Sequence, residues 1–349
     1  MKNESIISFP GLGIDEFLMK GTAFSFQIGD TPFTVMWYGI IICIAIFTAF
    51  SYFAFRAKQQ RIIFDDILDI ALVTVITAVV GARLYFVVFY GGYLETDGTF
   101  IENVLGTLYN VIAVWNGGLA IYGGIIFGAL AVAFMARRKK ISFFTLGDMA
   151  VPAVMLGQSI GRWGNFCNGE AFGRETTLPW RMGLCNSQTG YQMMYVHPTF
   201  FYESLWNIIG FTLINIFYKK RKYHGEVIVW YFSWYGLGRA FIELLRTDSL
   251  MLFGVIRVSS MLSFLLFAVL VPVGIFLRVL CKKYTEEGLL AEGEITDIKT
   301  ILTIFMKKKK ASAQTEPLAE NNNASALENK ENYAENSAES EETENGTNY

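Results

Sequence analysis

WYGIIICIAIFTAFSYFAF, Trp37 to Phe55, contains no charged residue. A hydrocarbon core of about 30 Å is crossed by roughly 20 apolar residues in a helix, and this stretch has that length. Arg56, Lys58 and Arg61 follow at once. The reading is a helix that crosses a bilayer and ends among basic residues on the cytoplasmic side. Composition agrees: of 349 residues, 53% are hydrophobic and 17% charged, and the apolar ones come in long blocks rather than in a stripe.

Working outward, six more stretches read as spans. They are Ile67 to Phe89 (interrupted by Arg83), Gly117 to Ala136, Phe143 to about Trp163, Phe200 to Tyr218, Val227 to Leu245 and Ser259 to Leu280. The third is rich in Gly and Ala, which permits close helix contact. The fourth is the weakest, carrying Asp148 and Pro152. Basic clusters follow the odd-numbered spans: Arg137 to Lys140 after the third, Lys219 to Lys222 after the fifth, and Arg278, Lys282 and Lys283 at the seventh. The loop from Gly91 to Asn116 has no Lys or Arg. The expected fold is therefore an all-α integral membrane protein with seven transmembrane helices, its N-terminus outside and its C-terminus cytoplasmic.

The ends differ from the middle. Before Trp37 no compact apolar core precedes a small-residue cleavage site, so the first span reads as an uncleaved anchor. A membrane domain over 1–283 gives way to 284–310, where Ile295 to Met306 and the Lys307 to Lys310 cluster fit either an interfacial amphipathic helix or a solvated basic run. From Ala311 to the end nine glutamates meet one lysine. That tail, 311–349, is too polar to pack and is expected to be disordered.

Several function classes fall away. A net charge of −2 does not suggest nucleic acid. The four cysteines lack metal-ligand spacing, and only His197 and His224 are available for a histidine site, so no metal is expected. Cys167 and Cys185 would pair only in an oxidising space; free thiols are the favoured reading.

Charged residues nevertheless stand where lipid should be. GQSIGRWGNFCNGEAFGRET, Gly157 to Thr176, places Arg162, Asn165, Asn168, Glu170 and Arg174 at the outer end of span four. At the same level lie Arg83, Tyr38 at the head of span one, His197 and Glu203 at the head of span five, and Tyr235, Arg239, Glu243 and Arg246 on one side of span six. Singly, each has a plain structural explanation: Arg239 and Glu243 are i, i+4 partners, Tyr38 is an interface anchor, and the glycines pack helices. Together, Arg83, Arg162, Arg239 and Arg246 outweigh two or three acids. An ionisable group inside a membrane faces a cavity or a partner, and a guanidinium fork matches phosphate. The pattern points to an outward-opening site for a phospholipid headgroup, with Asn165 and Asn168 orienting a polyol.

GRWGNFCNGEAFGRE resembles the signature of the bacterial prolipoprotein diacylglyceryl transferases, Gly-Arg-x-Gly-Asn-Phe-x-Asn-x-Glu-x-x-Gly. Trp37-Tyr38-Gly39, Gly117-Gly118-Leu119 through Gly124, His197-Pro198 with Tyr202-Glu203, and Tyr235 to Arg246 agree in order, over about residues 30–283. The resemblance implies transfer of the diacylglyceryl group of phosphatidylglycerol to the lipobox cysteine of a prolipoprotein signal peptide, in the bacterial cell membrane, with no cofactor. It implies that Arg162 binds phosphatidylglycerol with Asn165, Asn168, Tyr38 and Gly173. It makes Arg239, Tyr235, Glu243, Glu170 and Tyr122 the catalytic set. Tyr122 stands where many members carry a histidine proposed as the base, and a tyrosine of ordinary pKa near 10 is a poor acceptor. Glu243, Glu170 and His197 are the other base candidates. The rival readings are an anion transporter, which the sparse charge in the cytoplasmic halves disfavours, and a non-catalytic binder of anionic headgroups.

Overall fold

The computed structural model describes residues 4–29, 31–90, 112, 117–246, 251–252 and 256–310. The expected acidic tail and nearly all of the Gly91 to Asn116 loop lie outside the described residues. Long helices dominate: α1 (Trp37–Gln59), α2 (Phe64–Tyr90), α3 (Ile121–Lys139), α4 (Phe143–Asn168), α5 (Thr199–Phe217), α6 (Glu226–Leu245) and α7 (Val258–Glu286). Six of them, α1 to α5 and α7, are long and apolar enough to cross a membrane. The chain is a mostly helical, multi-pass membrane protein. The remaining expected span, Val227 to Leu245, is helical as α6 but does not join those six. Glu226, Arg239 and Glu243 interrupt its apolar face.

Glycine decides how closely α2 and α3 approach. A Cβ at Gly123 would overlap the Gly81 carbonyl oxygen, and one at Gly81 would overlap the Phe127 ring. The third span starts later than expected because Gly117 and Gly118 adopt φ of 84° and 73°, a left-handed pair that postpones the helix to Ile121. Arg83 Nη1 donates to their carbonyls at 2.5 and 2.9 Å. That arginine anchors a turn.

Helix α4 runs further than expected, through Asn168, and ends at Gly169 in the left-handed conformation (φ 61°), the usual C-terminal stop. Its other end explains a buried acid. The Asp148 carboxylate accepts from the Gly225 and Ile228 amides at 2.9 and 3.1 Å, capping the start of α6. Helices α4 and α5 cross at Ser159 and Ser204, whose hydroxyls each donate to the other's carbonyl at 3.0 Å. Helices α5 and α6 are clasped by Trp206 and Trp234, stacked at 4.4 Å, each indole donating to the other's carbonyl at 3.0 Å.

The chain is not purely helical, and this corrects the all-α expectation. Strands β1 (Glu4–Phe9), β2 (Ile14–Lys20), β3 (Thr22–Ile28) and β4 (Thr31–Met36) precede α1, and β5 (Met182–Cys185) and β6 (Met194–Val196) lie between α4 and α5. One antiparallel sheet runs β2-β1-β5-β6, with Ile7 opposite Leu184 and Met182 opposite Val196. The alternation in ESIISF buries Ile7 with Met182, Leu184 and Val196 against Phe200 at the head of α5. The sheet thus covers one end of the bundle. Cys167 and Cys185 are both free. At the other end, residues 298–310 form a helix whose Ile301 and Phe305 pack on Leu277, Leu280 and Tyr284 of α7.

A Gly123→Val substitution forces α2 and α3 apart, because the atom in the way is backbone. Overpacking of this kind costs about 1–3 kcal/mol. The expected outcome is a melting temperature lowered by several degrees in detergent; an unchanged value contradicts the close approach.

Candidate functional site

The signature divides between a helix and the loop that follows it. Arg162 and Asn165, one turn apart on α4, are linked by Arg162 Nη1 donating to Asn165 Oδ1 at 3.2 Å. Asn165 Nδ2 donates to Glu170 Oε1 at 2.9 Å, and Asn168 Nδ2 reaches the same oxygen at 3.3 Å. The left-handed turn at Gly169 folds Glu170 back over the last turn of α4, so both amides can reach it. Gly169 also permits the β1 strand to settle there, since Asn186 Nδ2 donates to the Gly169 carbonyl at 2.8 Å and to Ser5 Oγ at 3.2 Å.

From Arg162 the network crosses to α5 and α6. Arg162 Nη2 lies 2.5 Å from Glu203 Oε2. Glu203 Oε1 also faces Arg239 Nη1 at 3.3 Å and Arg246 Nη1 at 3.4 Å. Arg239 Nη2 meets Glu243 Oε2 at 2.5 Å. One carboxylate therefore holds three guanidinium groups from two helices besides its own. Glu203 and Glu243 are buried, whereas the Arg162 and Arg239 side chains remain 28% and 19% exposed. The two arginine side chains can thus be reached from outside the network, and the carboxylates cannot.

Glu203 was noticed in the sequence but was not among the expected site residues. Its signals were its place in HPTFFYES at the head of a span, level with the arginines, and the Tyr202-Glu203 pair of the resemblance. Arg83, expected to add to the positive surplus, instead binds Gly117 and Gly118. Tyr38 stacks its ring against Gly164, where a Cβ would lie 2.8 Å from the ring edge. Tyr235 stacks on Tyr231 at 5.9 Å in the core between α4 and α6. Tyr122 sits apart on α3, 61% exposed, its ring 6.4 Å from that of Tyr85. The structure thus joins Arg162, Asn165, Asn168, Glu170, Arg239 and Glu243 through Glu203, and places Tyr122 on the neighbouring α2–α3 pair.

Gly173 fixes the loop over this network. Its amide donates to the His197 carbonyl at 3.0 Å, and Arg174 N donates to the Leu245 carbonyl at 2.7 Å. The loop is threaded between the start of α5 and the end of α6. Burial holds the His197 imidazole below its ordinary pKa, so it is neutral at pH 7, with Nδ1 3.3 Å from the Tyr202 hydroxyl. Beside it opens an apolar recess of about 630 Å³ lined by Trp163, Phe166, Trp180, Phe200 and Phe201.

A family model described as prolipoprotein diacylglyceryl transferase matches residues 23–276. The chain belongs to that family. A phosphatidylglycerol–prolipoprotein diacylglyceryl transferase of Streptococcus pneumoniae (strain Hungary19A-6) is 43% identical over 256 residues, which cover 72% of this chain and 91% of the relative. The one from strain ATCC 700669 is 44% identical over 240 residues, covering 68% and 87%. The region matched by the family contains α1 to α6, most of α7 and the whole ion-pair network. It leaves out β1 and β2, which nonetheless form half of the sheet over the signature.

A methyl group at Gly173 would lie 2.7 Å from His197 Cβ and 3.0 Å from the Leu245 carbonyl oxygen. Gly173→Ala is therefore expected to push the loop away from Arg246 and to lower transferase activity at least about tenfold, since small displacements of positioning groups cost up to about 10²-fold. Activity equal to wild type at equal membrane abundance contradicts that role.

Proposed function

We propose that this chain transfers the diacylglyceryl group of phosphatidylglycerol to the lipobox cysteine thiol of a prolipoprotein, releasing sn-glycerol 1-phosphate. This is the first step of lipoprotein maturation. The observation that carries the reading is the Glu203 network of a family member, which holds the Arg162 and Arg239 forks at fixed positions with open faces.

The chemistry needs little from the enzyme beyond placement. The cysteine sulfur, as thiolate, attacks the glyceryl carbon that bears the phosphate. The S–C bond forms, the C–O bond breaks, and the electron pair leaves on the phosphate oxygen. A cysteine with pKa near 8.5 is a few per cent thiolate at neutral pH, so no enzyme nucleophile is required. Negative charge develops on the leaving phosphate, and preorganised guanidinium groups stabilise charge where it develops. Arg162 and Arg239 supply that field, Glu243 and Glu203 hold their orientation, and Asn165 and Asn168 with Glu170 line the side facing the glycerol headgroup. The apolar recess beside Trp163 suits acyl chains or the signal-peptide segment. Tyr38 and Gly173 shape the walls, and Tyr235 supports α6 from the core.

In the same reading the chain spans the bacterial cell membrane seven times, α6 included, with the sheet and signature outside. Ion pairing of Arg239 and Glu243 lowers the cost of inserting α6. Residues 1–283 form the transferase domain, 284–310 an appended helical segment with its basic cluster, and 311–349 a disordered acidic tail.

The testing experiment is a transfer assay with phosphatidylglycerol and a lipobox peptide. Arg162→Ala should abolish transfer while the protein still accumulates in the membrane. Arg162→Lys should recover little, because an ammonium cannot copy the planar fork. Wild-type turnover in the lysine variant contradicts a bidentate role.

Tyr122 is assigned to orienting substrate through its hydroxyl. Tyr122→His should leave the rate near wild type and Tyr122→Phe should lower it, measured as initial rate against pH. A gain from histidine of about 10²–10⁴-fold, with a new ionisation near about 6.5, would restore a base at this position.

A further inference from the structure

The end of the bundle remote from Glu203 is grooved and basic. Glu203 lies in the first turns of α5 and Lys220 just beyond its last, 17 residues on and thus about 25 Å away along the axis. Two apolar grooves open there. One, about 450 Å³, runs between α5 and α6 and is lined by Leu213, Ile214 and Phe217. The other, about 290 Å³, runs between α6 and α7 and is lined by Leu237, Leu270 and Ile275. Trp230 and Trp234 form the ridge between them, and Arg278 closes both. Glycine supplies the floors: a Cβ at Gly210 would overlap the Trp234 indole, and one at Gly274 would lie 2.9 Å from Val229.

The mouth is basic. Arg278 is fixed by Nη1 to Glu226 at 3.4 Å and by Nη2 to the Lys220 carbonyl at 3.1 Å, yet its side chain is 45% exposed. Lys220 lies over the Phe217 ring. A third cavity, about 760 Å³, continues from Arg278 past Lys219, Lys222 and Lys282. The acids facing it are Glu286, paired with Lys282 at 3.7 Å, and Glu292 and Glu294 on the far wall. Lys219, Lys220 and Lys222 make no ion pair among the described residues.

We infer that this protein holds an anionic diacyl glycerophospholipid here, with one chain on each side of Trp230 and the phosphate between Lys220 and Arg278. Two apolar grooves meeting at one cationic point fit a two-chain lipid. Basic pockets between spans on the cytoplasmic side are known recognition sites for anionic headgroups. The bound lipid wedges α5, α6 and α7 together beneath the Trp206–Trp234 clasp, and so braces the two helices that carry Glu203 and Arg239. The inference rests on the chain spanning a membrane, not on the transfer reaction.

The test uses the full chain, purified in detergent and delipidated, with melting temperature as the readout. Dioleoylphosphatidic acid in mixed micelles should raise it saturably; dioleoylphosphatidylcholine and inorganic phosphate should not. With each basic side chain near the surface contributing about fivefold in affinity, Lys220→Gln should raise the half-saturating concentration about fivefold. Among the described residues Lys220 makes no ion pair and its side chain lies over the Phe217 ring, so the melting temperature of this variant without lipid serves as its own reference. Leu213→Trp, which fills the first groove, should weaken the effect as well, and in Arg162→Ala, which removes a phosphate-binding fork of the transfer site, a saturable shift should persist. Unaltered half-saturation in both Lys220→Gln and Leu213→Trp overturns the inference. So does an equal shift from phosphatidylcholine or phosphate alone, or loss of the shift in Arg162→Ala, which would move the lipid to the transfer site. Transfer activity is not measured, so failure here leaves the proposed reaction untouched.

Discussion

The carboxylate of Glu203 is the constraint on which the rest of the site depends. Three arginines within one apolar bundle repel each other and would each prefer water. A single buried acid at the head of α5 brings one from α4, one from α6 and one from the residue that follows α6 to a common point. Glu203 is the buried member, and breaking a buried pair by removing such a group costs about 3–5 kcal/mol. The arrangement ties α4, α5 and the end of α6 at one point. Its value to function is the reverse side of that cost. Guanidinium groups already held in place need little rearrangement when an anion arrives.

The surrounding structure protects that point. The Ser159–Ser204 exchange fixes α4 against α5, and the tryptophan clasp fixes α5 against α6. Gly169 and Gly173 fold the signature loop onto the network, and strand β1 lies over it. The Asp148 cap sets the other end of α6. Each helix that contributes an arginine or the central acid is thus tied at a second place along its length.

The helices were legible in the sequence because uninterrupted apolar blocks such as Trp37 to Phe55 leave a chain in lipid no alternative to the helix. The sheet was not. ESIISF alternates over only a few residues, and its partner MGLC lies more than 170 positions away, so its pairing depends on tertiary context rather than on a local pattern. The start of α3 was misplaced because Gly117 and Gly118 read as helix-packing residues, whereas their left-handed φ serves a turn held by Arg83. Within the site, the Arg162–Asn165–Glu170 chain was legible because its members are close in sequence. Glu203 was legible as an acid level with the arginines, but one glutamate among aromatic residues gives no local hint that three distant arginines converge on it.

Glu203 holds the arginines through its charge. This role is tested most directly by the rate of diacylglyceryl transfer in Glu203→Gln, a change that keeps shape and removes charge, compared with Glu203→Asp at matched membrane abundance. The expected result is a loss of kcat of about 10²-fold or more in the glutamine variant and partial retention in the aspartate variant. A glutamine variant with wild-type kcat and KM would contradict it.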